Sequence, residues 1–488
     1  MNLFEEWVRS ETRRQFFTRG ASALGTAALA ALMNGCQRGL VDDSEASAPV
    51  RVPGPHFAPK AKQVIYLHMV GGPSQMDLFD YKPAMQEMFD KDLPDSIRRG
   101  QRLTTMTSGQ ARFPVAPSKF TFARHGRCGM WITDLMPYLA RSADDICWIR
   151  SMHTEAINHE PAICYMQTGN QVTGRPCLGA WASYGLGSLN ANLPTFVVLI
   201  ATPSNREQEQ AVSARLWSSG YLSGEHAGVS FRGKGDPILF INNPPGVPDP
   251  VRRLTLDGVR ELNEMNYAQV GDPETHTRIS QYEMAFRMQA SVPELTKIEA
   301  EPESTFQLYG ADARKPGTFA NSVVLARRLV ERGVRFVQVY HNNWDHHGNL
   351  TGRMPSQCKD VDQACAGLIA DLKQRGMLDE TLVIWGGEFG RTIYSQGQLT
   401  RANYGRDHHP RCFTMWMAGG GAKGGAIYGE TDDFSYNIVK DPVHIRDFHA
   451  TVMHLLGFRH ERFTVKYQGL DARLTGVEPA RVIPDLLA

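Results

Sequence analysis

The stretch Val334-Arg-Phe-Val-Gln-Val-Tyr-His-Asn-Asn-Trp-Asp-His-His-Gly348 constrains this chain more than any other. Val334–Tyr340 is β-branched and aromatic, and its length suits a buried strand. His341, Asp345, His346 and His347 follow directly, and Gly348 closes the turn. In an α/β protein, ligands gather in the crevice beyond the carboxyl ends of the strands. A hard carboxylate among imidazoles at that place is the chemistry of a divalent-metal site. A solvated polar loop would explain one such histidine. Several with an aspartate, all after one strand, point to function.

The same arrangement recurs along the chain. Lys62–Val70 reads as a strand and runs into Gly71-Gly72-Pro73-Ser74, where Ser74 can cap a short helix. A strand, a Gly-Gly turn and a helix start place backbone N–H groups where an oxyanion would bind, so Gly72 and Ser74 are candidate substrate contacts. Cys147–Met152 is a second strand, followed by Asn158-His159-Glu160-Pro161, with Pro161 suited to a first helical turn. His159 divides evenly between ligand and structural roles. Thr195–Ala201 is a further strand. Thr381–Trp385 leads into Gly386-Gly387-Glu388-Phe389-Gly390-Arg391, which sets Glu388 between glycines at a strand end. Glu388 is expected as a ligand, with Arg391 pairing to it or to an anionic substrate group. Asp407-His408-His409, before the strand Cys412–Ala418, forms a second acid–imidazole cluster. Thr133–Ala143, Leu262–Gln289, Asn321–Arg332 and Asp360–Lys373 read as helices. His449 and His454, on the helix Asp447–Gly457, read as structural.

Sixteen histidines against eight cysteines, with no C-x-x-C pair, favour His/carboxylate over thiolate metal chemistry. A formal net charge of +1 gives no electrostatic case for nucleic acid or an anionic membrane surface. The N-terminus carries a different message. Thr12-Arg13-Arg14-Gln15-Phe16-Phe17 is a twin-arginine sequence, and the apolar run Ala21–Met33 is too short to span a bilayer as a stable helix. Residues 1–36 are therefore expected to be a signal read by the twin-arginine export machinery, placing the mature protein in the periplasm or cell envelope. That route exports folded proteins, so a cofactor can be acquired in the cytoplasm and the cysteines need no disulfides. Cys36 is a candidate lipid anchor. Residues 37–60 read as a linker, and 61–488 as one elaborated domain with insertions at about 81–130 and about 202–260.

These landmarks resemble the mostly secreted bacterial family catalogued as domain of unknown function 1501. The matching stretches are Gly71–Asp77 with Lys82-Pro83, Asn158-His159, Trp344–His347, Gly387–Thr392, Gly405–His408 and Gly419–Gly425. That family is similar to the alkaline phosphatase/sulfatase superfamily. The resemblance implies an α/β fold, a three-layer sandwich whose mostly parallel central sheet is flanked by helices, with metals at its carboxyl edge. Carried over by residue, the sulfatase strand Thr-Leu-Val-Ile matches Thr381–Ile384, and its metal-binding Asp-His pair matches Glu388-Phe389. The sulfatase nucleophile position, nine residues before Thr168-Gly169, falls on His159. The phosphatase Asp and His of the other metal correspond to Asp345 and His347, and the late histidine to His408. The departures are equally specific. Cys164 has no C-x-P-x-R context, the nucleophile position holds an imidazole, and the first strand ends without a metal-binding aspartate unless Asp77 substitutes.

The expectation is an exported metal-dependent hydrolase of sulfate or phosphate esters of a small molecule or glycan, using metal-activated water. Asp345, His347 and His408 would hold a divalent ion (zinc, manganese or calcium), with Glu388 and His159 as further ligands or base. Gly72, Ser74 and Arg391 would hold the anionic group. The competing expectation is a non-catalytic metal- or glycan-binding protein on a hydrolase-like fold.

Overall fold

A computed structural model describes residues 53–488 except 208, 239–240 and 273. The apolar runs form strands in chain order: β1 (Gln63–Met69), a small hairpin of β2 (Phe122–His125) and β3 (Met130–Thr133), then β4 (Ile146–His153) and β5 (Phe196–Ala201). They continue with β6 (Val229–Phe231), β7 (Phe336–His341), β8 (Thr381–Gly386), β9 (Gly390–Ser395), β10 (Arg406–His409), β11 (Phe413–Ala418) and β12 (Ile427–Tyr428). The main sheet runs β12-β4-β11-β8-β1-β7-β5-β6. Every neighbour pairs parallel except β11, which is antiparallel to both β4 and β8. The expected α/β fold with a large central sheet between helices is what the chain adopts.

Both faces of the sheet are buried, which is why the strands read as continuous apolar runs rather than alternating ones. On β1, Ile65, Leu67 and Met69 enter one core with helices Phe319–Glu331 and Leu350–Gln374. Val64 and Tyr66 enter the other, with helices His159–Thr168, Leu178–Leu186 and Ile445–Leu455.

This topology positions the site. The carboxyl ends of β1, β4, β7 and β8 share one edge, and β11 runs backwards, so its amino end lies there too. The ribbon of β9 and β10, which immediately precedes β11, is thereby delivered to the same edge.

Several expectations change. Thr133–Ala143 is not one helix: Pro137 interrupts it, and the Asp362 carboxylate takes the N–H groups of Tyr138 (3.0 Å) and Leu139 (2.7 Å) before a 3-10 turn begins at Leu139. Leu262–Gln289 lies across two helices, Asp249–Val270 and Glu274–Thr296, broken where Gly271 turns left-handed (φ 71°) and caps Tyr267 O. The second expected insertion therefore ends inside a helix. The first is docked on the core, its Thr104 and Thr107 hydroxyls donating to Asp407 (2.5 Å each). Residues 53–60 are tied down too, with His56 N and Lys60 N donating to Gly457 O and Leu455 O (2.9 Å each). All seven described cysteines are free thiols. Among the described residues no helix is long and apolar enough to cross a membrane. The twin-arginine sequence and Cys36 lie outside the described residues.

Candidate metal centre

Four side chains from three segments converge at the shared edge. His159 opens the helix that follows β4, Asp345 and His347 lie in the loop after β7, and His408 sits on β10. Their ligand-type atoms all fall within 4.8 Å of one another. Asp345 Oδ1 is the hub, 3.2 Å from His159 Nε2, 2.8 Å from His347 Nε2 and 3.6 Å from His408 Nε2. The side chains are 4–16% exposed, His347 the most, so the centre opens to solvent only narrowly.

The outward nitrogens decide what the inward ones can do. His159 Nδ1 donates to Glu388 Oε1 (2.6 Å), His347 Nδ1 to the Gln396 amide oxygen (2.5 Å), and His408 Nδ1 to Ile157 O (2.8 Å). In a neutral imidazole one nitrogen carries the proton and the other a lone pair. All three rings thus turn bare Nε2 atoms inward, onto a carboxylate that also has nothing to donate. His347 Nε2 and His408 Nε2 stand 3.1 Å apart, and buried His159 Nε2 has no hydrogen-bond partner. Lone pairs crowded this way are mutually repulsive unless a proton or a cation lies among them. Nδ1–H partners behind inward-facing Nε2 atoms are also the usual support of metal-binding histidines. These residues therefore fit a divalent cation.

Asp345 itself is held from two sides. Arg391 Nη2 donates to Oδ1 (2.6 Å) and Gln210 Nε2 to Oδ2 (2.9 Å). Burial works to raise this carboxyl, but Arg391 and the three imidazoles hold it far below the usual carboxylate range. Burial pulls His159 down, yet Asp345 and Glu388 outweigh it and leave its pKa raised. His408 goes the other way: burial pushes it to about 4, and Asp345 only partly offsets that. The Phe389 ring packs against both, with centroids 4.9 Å from His159 and 4.6 Å from His408.

Other candidates are engaged differently. Glu388, expected as a direct ligand, is fully buried one step back, behind His159, and the Gly71 N–H reaches it at 3.0 Å. The Gly-Gly turn does hold an anion, then, but a carboxylate of the chain itself. Gly71 is required there, since at φ 116° a Cβ would lie 2.5 Å from Asp345 N. Glu388 stays ionised, at about 2, because its contacts with His159 and His68 overcome the burial that would raise it. Arg391 is spent on Asp345 and on the carbonyls of Gly71, Gly72 and Arg406. Ser74 is buried and donates to Asp77 (2.5 Å) without accepting from the helix backbone as a cap would, and Gly72 is buried as well. None of Gly72, Ser74 and Arg391 faces open space, because the turn that carries Gly72 and Ser74 is packed against β9, which carries Arg391. Asp77 is no stand-in ligand either, being paired with Arg406 (2.7 Å). His341 ends β7 and bonds Asp360 (3.2 Å), away from the centre. Sequence reasoning missed Gln210, Gln396 and the Ile157 carbonyl, since an amide or a carbonyl in a loop carries no distinguishing pattern.

Among solved structures, the chain is similar to a sulfatase from Pseudoalteromonas sp. (13% identity, covering 82% of this chain and 68% of that one, TM-score 0.31). It is also similar to the alkaline phosphatase of the Antarctic bacterium TAB5 (11% identity, 81% and 97%, TM-score 0.30) and to a phosphonate monoester hydrolase from Silicibacter pomeroyi (12% identity, 81% and 73%, TM-score 0.30). Superpositions this loose carry no argument about what the chain does. No curated protein matches the sequence. The family model described as "Protein of unknown function (DUF1501)" matches residues 61–487, and the chain is a member of that family.

Proposed function

We propose that this protein is an exported hydrolase of sulfate or phosphate esters, of a small molecule or a glycan, built on one divalent-cation site formed by His159, Asp345, His347 and His408. The observation that carries the proposal is the set of inward-facing Nε2 atoms gathered around Asp345 Oδ1. Three imidazole nitrogens and one carboxylate oxygen suit zinc; calcium, which takes 6–8 oxygen ligands, fits this donor set poorly. A divalent cation held there would polarise an ester oxygen and lower the pKa of water from about 16 to about 7.

The chain's own residues do the rest. Glu388 keeps the His159 proton on Nδ1 and so keeps Nε2 free. Arg391 and Gln210 fix the plane of the Asp345 carboxylate, and Arg391 balances its charge within a buried setting. Entry is on the His347 side, the most exposed edge. With an imidazole at the nucleophile position, attack by water replaces a serine or threonine ester.

A non-catalytic metal- or glycan-binding protein is the second reading, favoured by the count of four protein donors, which closes a tetrahedral shell as structural zinc sites do. The test is metal content of the mature protein, purified without a His tag, by inductively coupled plasma mass spectrometry, followed by a sulfate- and phosphate-ester screen with zinc present. Stoichiometric metal with turnover supports the hydrolase. Stoichiometric metal with broad inactivity supports the metal-binding protein, and no metal after dialysis against zinc overturns the hydrolase and leaves glycan binding as the reading.

A further inference from the structure

Behind the centre a fourth histidine sits on β1, inside the apolar run, with no exposure at all: His68. Gln167, on the helix that His159 begins, presents its amide Nε2 3.3 Å from His68 Nδ1, and the Tyr66 hydroxyl stands at the same distance. An amide nitrogen only donates, so Nδ1 accepts and the ring proton sits on Nε2. That Nε2 makes no hydrogen bond, yet it lies 3.6 Å from Glu388 Oε2 and faces no other acceptor that satisfies it. The other carboxylate oxygen, Oε1, is the one that takes the His159 Nδ1 proton.

Four groups therefore stand in line: Gln167, His68, Glu388 and His159. Each fixes the orientation or the tautomer of the next. We propose that His68 is a positioning residue for the metal centre, acting through Glu388 on His159. The inference rests on the metal-site reading above and extends it to a residue about which that reading says nothing. A fully buried carboxylate needs partners on both oxygens to hold one orientation. Gly71 N spans the two, at 3.0 and 3.3 Å, and leaves the twist of the group free. His68 faces the second side, its Nε2 3.6 Å from Oε2 as an electrostatic and steric stop. Without it, Glu388 can rotate, the Nδ1–H of His159 loses its fixed acceptor, and the ring can carry its proton on Nε2, where it blocks a metal.

The experiment uses the full chain with His68→Leu, which removes the donor, and His68→Gln, which restores one. Zinc affinity is read by chelator competition, and the metal-free His159 tautomer by nitrogen-15 NMR of histidine-labelled protein. Losing an outer-shell partner costs roughly 10–100-fold in metal affinity. His68→Leu is expected to lose that much, His68→Gln to recover most of it, and His68→Leu added to Glu388→Ala to cost nothing further. In the metal-free protein, His159 is expected to shift from Nδ1–H towards Nε2–H in His68→Leu. Wild-type zinc affinity in His68→Leu, or a loss that adds fully to that of Glu388→Ala, overturns the proposal. If the wild type binds no zinc, the metal reading falls alone. The tautomer then decides: a shift sustains the positioning role, and an unmoved His159 ends it.

Discussion

Asp345 and Asp77 are both buried carboxylates clamped by a buried arginine, and both lie at the carboxyl edge of the sheet. Around Asp77 every neighbour donates: Ser74 (2.5 Å), Tyr404 (3.0 Å) and Arg406 (2.7 and 3.3 Å), whose other donors go to the carbonyls of Thr392, Ile393 and Ala116. Donors and acceptors balance, and nothing is left to bind. Around Asp345, Arg391 and Gln210 donate, but three imidazoles meet the same carboxylate with acceptor atoms. A closed hydrogen-bond shell marks a structural ion pair. A shell with too few protons marks a place for a cation.

The largest test of this contrast is to remove the hub. Asp345→Ala with His408→Ala should abolish stoichiometric metal, measured by mass spectrometry on the folded protein. Metal retained at wild-type level would mean that the cluster is not the site. Next is Asp77→Asn, which strands a buried guanidinium and should cost about 3–5 kcal/mol in denaturant unfolding while leaving metal content per folded molecule unchanged. Loss of metal there without loss of stability would erase the distinction between the two carboxylates.

A third test uses protons as competitors. A metal needs the neutral ring, and His159, raised by Asp345 and Glu388, takes a proton first as pH falls, whereas His408, held at about 4, takes one late. Zinc affinity should therefore fall about tenfold per pH unit below the His159 titration, one proton being displaced per ion. A flat profile from about pH 8 to about pH 5 in chelator competition would contradict this. The smallest effect concerns the adjacent histidine. His409 Nε2 donates to Tyr436 O (2.6 Å), its Nδ1 accepts from Gln101 (3.2 Å), and burial holds it at about 4. Unfolded, it titrates near about 6.5. The unfolded state then binds more protons between those values, so His409 makes stability fall as pH drops through that window. His409→Gln should remove this part of the acid dependence in thermal melts and leave metal content alone.

The strands were legible because a sheet buried on both faces writes itself as unbroken β-branched runs, and four of the five expected metal residues meet because each directly follows or precedes such a run. Glu388 was placed at the right strand end but one bond too close. The alternation that turns His408 inward and His409 away lies in backbone register, which loop composition does not encode. His68 was visible only as an imidazole inside an apolar strand, where polarity reads as an irregularity. Helix limits went wrong at Pro137 and Gly271, where single residues overrule periodicity over a longer window.

The reversed strand β11 has a further consequence for how the protein comes into being. Among the described residues it is the sole bridge in the main sheet between β4 and β8, so the segment that brings His159 is sealed to the segment that brings Asp345 when residues 413–418 slot between them. On the ribosome, His159 emerges hundreds of residues before its last partner. A metal ion cannot seed folding here; it arrives as a late bolt, thrown once most of the polypeptide has been made and β11 has gone in.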